Sequence, residues 1–157
     1  LDALLASAHP HHFLSVTKQG VAAIFATRGN PDCHLILRGG AAGPNYGPDE
    51  VAKAVDALAR LGLPPQLMID CSHGNSAKDH RRQPEVVTAV AEQVSAGSRH
   101  VFGVMLESFL VDGRQDLAPG VPPVFGQSIT DACIGWERTA PLFGELAEAV
   151  RKRRSDR

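Results

Sequence analysis

Four stretches of this chain end in side chains whose types could do chemistry together. Arg38 closes the apolar run 33–38, and Asp70, Ser72 and His73 follow the run 66–70. Glu107 and Ser108 follow the run 100–106, and Thr130 and Asp131 follow the short run 127–129. None of these polar groups is needed to bury the apolar stretch before it. One imidazole with two carboxylates, His73 with Glu107 and Asp131, suits a divalent ion such as Mn²⁺ or Fe²⁺. An ion held there would polarise a carbonyl oxygen as a Lewis acid. Arg38 precedes Gly39 and Gly40, which let backbone approach closely, so its guanidinium could clamp a phosphate or a carboxylate.

Taken singly, each residue has a plainer use. A lone histidine after a strand commonly serves as a hydrogen-bonded loop residue. Glu107 and Asp131 could accept the free amides at a helix N-terminus. Arg38 could pair with any nearby carboxylate, and Gly39-Gly40 alone is a weak phosphate-loop signal. The functional reading therefore rests on joint placement. In parallel α/β folds the C-terminal ends of the strands converge on one rim, where active sites are built.

That rim requires alternating strands and helices, and the apolar pattern supplies them. Residues 1–6 open as a helix, 13–16 read as a brief strand, and 18–27 as a short helical piece. Residues 33–38 read as a strand and 49–61 as a helix, with Val51, Ala54, Val55, Leu58 and Leu61 on one face. Gly62 and Pro64-Pro65 stop that helix. The strand 66–70, the helix 85–96 behind Pro84, the strand 100–107, the short strand 127–130 and a helix from 141 to 152 complete the order. Strands that are apolar nearly throughout are buried on both faces, and helices between them imply parallel crossovers. An α/β fold follows, either an open doubly wound sheet or part of a barrel. Five strand candidates are too few for a closed eight-stranded barrel, which takes ~250 residues.

Bulk properties narrow the class. The 157 residues carry a formal net charge of −1, with 43% hydrophobic and 21% charged residues, ordinary for one globular domain. Nothing here invites nucleic acid or an anionic membrane surface. The basic run 151–154 falls in the last turns of the final helix, where cations suit the macrodipole, and no aromatic residues are interleaved to stack on bases. Cys33, Cys71 and Cys133 form no C-x-x-C pair and fit a reducing cytoplasm better than a disulfide framework. No stretch is long enough to span a membrane. The start at Leu1, without a methionine, reads as a cut. His9, His11 and His12 read as exposed loop residues, and Trp136 as packing under the last loop.

At these same residues the chain resembles class I DAHP synthase of the feedback-regulated microbial type. The matching motifs are Leu37-Arg38-Gly39-Gly40, Pro44-Asn45-Tyr46, Asp70-Cys71-Ser72-His73, Leu106-Glu107-Ser108 and Ser128-Ile129-Thr130-Asp131, with further agreement over 13–18 and 132–137. The resemblance implies that residues 1–157 are one partial domain, the C-terminal part of a (β/α)8 TIM barrel comprising about five β/α units. It also implies condensation of phosphoenolpyruvate with erythrose 4-phosphate to DAHP and phosphate, the first step of the shikimate pathway to chorismate and the aromatic amino acids. His73, Glu107 and Asp131 match three metal ligands of the family, His73 and Asp131 being catalytic, and Arg38 matches an arginine that binds phosphoenolpyruvate. Phe13, Ser15 and Phe25 align near the family's pocket for an aromatic amino acid inhibitor, and they could equally be packing residues. A cytoplasmic homo-oligomer is expected.

The departures are large. The family's fourth metal ligand, a cysteine, lies in an N-terminal half that has no counterpart here, as do its lysine–proline–arginine–threonine motif and further substrate-binding cations. The chain alone is therefore expected to be inactive. Two other readings stay open: a regulatory or interaction module that binds an aromatic amino acid, and a free-standing metal-dependent aldolase.

Overall fold

A computed structural model describes residues 1–155, which fall into two compact units, 1–35 and 36–155. The first holds α1 (Asp2–Ala8) and an antiparallel hairpin of β1 (His12–Val16) and β2 (Ala22–Ala26). Residues 18–27, expected as helical, are instead a turn and the second strand. Alanine favours helix in isolation, but here Ala22, Ala23 and Ala26 pair across the hairpin with Val16, Ser15 and His12.

A three-stranded sheet follows in the order β3 (Leu35–Leu37), β4 (Leu67–Asp70), β5 (Val101–Met105), with β4 and β5 in the second unit. Strands β4 and β5 run parallel, with Ile69 opposite Val104 and Asp70 opposite Met105. Of the five strand candidates, three enter this sheet. The stretch at 13–16 pairs within the hairpin, and 127–130 contributes only β8 (Gln127–Ser128).

Helix α2 (Pro48–Arg60) starts with proline in its first turn, where a missing N–H costs nothing, and buries Val51, Val55 and Leu58. Helix α3 (Gln83–Ser95) follows a single 3₁₀ turn at His80–Arg82 and buries Val86, Val87, Val90, Ala91 and Val94. Leu67, Ile69 and Cys71 of the β4 segment are fully buried. Burying side chains of this size contributes about 1.5–3 kcal/mol each, before the entropy of ordering them.

The Gly/Pro-rich stretch after β5 contains more regular structure than its composition suggests. Strand β6 (Ser108–Phe109) pairs parallel with β9 (Ile134–Gly135), and β7 (Val111–Arg114) pairs parallel with β8. A bridge between Gly113 and Cys133 ties the two pairs together. Helix α4 (Trp136–Ser155) begins five residues before Pro141, which lies inside it, and packs along α3. Trp136 does not lie under a loop. It opens α4 half exposed, its ring 6.2 Å from that of Phe143 two turns along the same face. No helix among the described residues is long and apolar enough to cross a membrane.

Candidate metal centre

The end of β4 turns sharply. Ser72 N–H donates to Asp70 Oδ1 (2.8 Å), and His73 then adopts φ 45°, a left-handed conformation that non-glycine residues rarely take. Two further bonds fix the turn: Ser76 Oγ and Lys78 N–H both donate to the His73 carbonyl, at 3.3 and 2.7 Å. The imidazole is thereby held at the rim, its Nδ1 2.7 Å from Asp70 Oδ2 and its Nε2 3.6 Å from Glu107 Oε1.

Glu107 sits just beyond β5 and is gripped at main chain and side chain. Gln83, fully buried at the head of α3, donates from Nε2 to the Glu107 carbonyl (3.0 Å) and accepts the Glu107 N–H at Oε1 (2.8 Å). Ser72 Oγ donates to Glu107 Oε2 at 2.6 Å. Asp131 arrives from the loop after β8. Thr130 N–H donates to Ser128 Oγ (3.2 Å) on one side of it, and Cys133 exchanges backbone hydrogen bonds with Gly113 on the other.

One ligand atom each from His73, Glu107 and Asp131 lie within 4.8 Å of one another. Among the described residues this is the one such group of three or more His, Cys, Asp or Glu side chains. The first two are partly buried and Asp131 is exposed, so the cluster is open on one side. Neither carboxylate caps a helix: Glu107 takes the Ser72 hydroxyl, and no amide donates to the Asp131 side chain among the described residues. The donor set fits a hard or borderline divalent ion in its nitrogen and oxygen composition. Cys133 lies near enough to feel the charges of Glu107 and Asp131. Partial burial, with those charges, pushes its thiol above the ordinary range.

Arg38 joins the same rim through its backbone. Its carbonyl accepts N–H groups from Gly74 (3.0 Å) and Asn75 (3.2 Å), immediately after His73. Its guanidinium is exposed and, among the described residues, makes no ion pair or hydrogen bond, so the structural pairing considered for it is not formed. Gly39, at φ 74°, lies against Gly74 so closely that a Cβ on it would stand 2.5 Å from the Gly74 carbonyl carbon. Buried Asn75 laces the region together. Its Nδ2 donates to the carbonyls of Leu37 (3.0 Å) and Asp70 (2.8 Å), and its Oδ1 accepts the Asn45 N–H (2.8 Å). Asn45 Oδ1 in turn accepts the Gly39 N–H at 2.7 Å.

A second cross-brace joins the 3₁₀ turn at His80–Arg82 to β7, β9 and the start of α4. His80 lies 2.9 Å from Asp112 Oδ2, and Asp112 Oδ1 accepts from Gly135 N–H (3.2 Å) and the Arg138 guanidinium (3.3 Å). Sequence reasoning missed Gln83, Asn75 and Asp112. The first two are uncharged amides whose weight comes only from burial. Asp112 lies between the strand candidates 100–107 and 127–130, where no apolar period marks it.

Phe13, Ser15 and Phe25 all lie on the hairpin of the first unit. Phe13 and Phe25 are cross-strand partners with stacked rings 6.0 Å apart, and Ser15 faces Ala23. Both phenylalanines are exposed.

Comparison with known proteins places this geometry in context. The DAHP synthetase I family matches residues 1–143. A tyrosine-inhibited phospho-2-dehydro-3-deoxyheptonate aldolase of Schizosaccharomyces pombe is 54% identical, covering 99% of this chain and 43% of that protein. The Phe-sensitive enzyme of Escherichia coli K12 is 51% identical, over 98% of this chain and 44% of its own length. A solved phospho-2-dehydro-3-deoxyheptonate aldolase from Francisella tularensis SCHU S4 superposes with a TM-score of 0.91 at 48% identity, over 97% of this chain and 44% of that one. The chain thus spans under half the length of the relatives it matches. With the family match running through the whole rim from Arg38 to Asp131, the chain belongs to the DAHP synthetase I family.

Proposed function

We propose that this chain is the metal-bearing part of a DAHP synthase, which condenses phosphoenolpyruvate with erythrose 4-phosphate and releases phosphate. The observation that carries the reading is the meeting of His73, Glu107 and Asp131 within 4.8 Å. In this reading residues 1–157 are one section of a (β/α)8 barrel domain, working in the cytoplasm as part of a homo-oligomer.

His73 Nε2 and the two carboxylates would hold Mn²⁺ or Fe²⁺. When bound, the ion supplies Lewis-acid activation of the aldehyde carbonyl of erythrose 4-phosphate. The chain's own residues do the rest. The unpaired guanidinium of Arg38 takes the phosphate of phosphoenolpyruvate in a charge-assisted, bidentate grip. The welding of Arg38 backbone to the His73 loop fixes the distance between the two substrates' binding groups, as near-attack geometry requires. Phe13, Ser15 and Phe25 contribute to a site for an aromatic amino acid inhibitor. The names of the relatives support this, one being tyrosine-inhibited, one Phe-sensitive and one Trp-sensitive.

The chain by itself is expected to give no turnover with both substrates and Mn²⁺, and a rate near that of a full-length relative would overturn that expectation. Joined to the portion of the Escherichia coli enzyme that it does not match, it should regain condensation activity. In that chimera His73→Ala, Glu107→Ala or Asp131→Ala should each lower kcat by roughly 100-fold or more. Retention of full activity in all three would sink the assignment.

A further inference from the structure

Asp70 is among the least exposed charged residues of the chain, at 3%, and it lies outside the ligand set proposed above. A buried carboxylate is costly unless its oxygens are engaged. Here both are. Oδ1 accepts the Ser72 N–H at 2.8 Å, and Oδ2 faces His73 Nδ1 at 2.7 Å. Ser72 passes the restraint onward, its hydroxyl donating to Glu107 Oε2 at 2.6 Å. An acceptor at 2.7 Å calls for the proton on Nδ1, which in the neutral ring leaves the lone pair on Nε2, the nitrogen that looks toward Glu107 Oε1. A local turn alone explains Oδ1 but not Oδ2, since the turn closes without the ring.

We infer that Asp70 is a positioning residue for the centre: one buried carboxylate sets the tautomer of His73 and, through Ser72, the orientation of Glu107. This rests on the metal reading of the site. Carboxylate–histidine pairs of this kind orient ligands in many metal proteins, and losing the outer partner costs about 10–100-fold in metal affinity. The left-handed backbone at His73 fits the same view, because an unfavourable conformation persists only where its surroundings over-determine it.

Asp70→Asn separates the two roles. The amide oxygen can still accept the Ser72 N–H, so the turn survives, while the NH₂ group replaces Oδ2 and presents a donor to Nδ1. The ring should then move its proton to Nε2. Two measurements on the 157-residue chain read this. Nitrogen-15 NMR of the imidazole, metal-free and at a pH where the ring is neutral, should show Nδ1–H in the wild type and Nε2–H in Asp70→Asn. Loss of the free-ion EPR signal on titrating Mn²⁺ should show affinity about 10–100-fold weaker in Asp70→Asn. Ser72→Ala should keep the wild-type tautomer and still weaken Mn²⁺ binding.

An Nε2–H ring in the wild type would overturn the inference with no variant needed, as would an unchanged tautomer and Mn²⁺ affinity in a folded Asp70→Asn. Unchanged affinity in Ser72→Ala would overturn the part that runs through Glu107. His73→Ala distinguishes the two levels. If it binds Mn²⁺ as well as the wild type does, the metal reading itself fails, whereas loss of binding there with none in Asp70→Asn refutes only the role of Asp70.

Discussion

The centre is a case in which residue type and residue burial carry different information. His73, Glu107, Asp131 and Arg38 could be singled out from the sequence because each is a reactive type placed just after an apolar run. Gln83 could not, since an amide beside Pro84 looks like any helix start, and only complete burial reveals its grip on Glu107. Gln83→Leu removes both of those hydrogen bonds while keeping similar volume. Leaving the Glu107 N–H and carbonyl unpaired should cost about 1–3 kcal/mol, seen as a lower urea midpoint at unchanged m-value. The cysteines give a second test at this scale. Burial, with the neighbouring charge of Asp70, pushes the Cys71 thiol up to about 12, and burial also raises that of Cys133. Iodoacetamide at pH 8 should therefore label Cys133 slowly in the native chain, with Cys71 reacting only on unfolding. Peptide mapping by mass spectrometry checks the order.

Among the elements, those with a strong apolar period were legible and those defined by a partner were not. Helix α2 reads directly from Val51, Val55 and Leu58, and β4 from its unbroken apolar run. Strand β2 was misread because Ala-Ala-Ile-Phe-Ala carries no alternation, and its state is decided by pairing with β1. Proline at 141 suggested a helix start, yet α4 begins at Trp136 and carries the proline inside its second turn. The crossing of the 38–40 and 73–75 turns was also invisible, because contact between two glycines leaves no apolar or charged trace. Gly39→Ala should be severe there: φ is 74°, and the added carbon meets backbone at 2.5–2.7 Å. A loss of about 1–3 kcal/mol is expected. Gly40→Ala, with nothing within 4 Å and an ordinary φ, should stay within about 0.5 kcal/mol. Thermal unfolding of the pair decides.

At the level of the whole molecule, charge and exposed apolar surface set the behaviour in solution. Leu14 and Ile24 are each 76% exposed in the first unit, and Trp136 and Phe143 are more than half exposed in the second. With a net charge of −1, little repulsion opposes association through such patches. Light scattering near pH 7 should find the isolated chain self-associating and binding a hydrophobic dye. Acid should loosen the second unit. The hydrogen bonds and charge of Arg81 hold Asp79 down from 3.8 to about 2. Partial burial lifts Asp112, but His80, the Gly135 amide and Arg138 outweigh it and hold its carboxyl below the ordinary value. A carboxylate depressed in the folded state stabilises above its unfolded value and loses that contribution as pH falls through the folded one. Stability should therefore decline as pH drops from about 4 toward 2, and Asp112→Asn should flatten that decline in urea titrations.

The Gln83 amide meets Glu107 as a peptide unit would, one acceptor and one donor side by side. It is in effect a counterfeit strand a single residue long, soldering the head of α3 to the end of β5. A displacement of α3 along its axis is thereby passed directly to the main chain of Glu107, with no need to travel through the apolar interior.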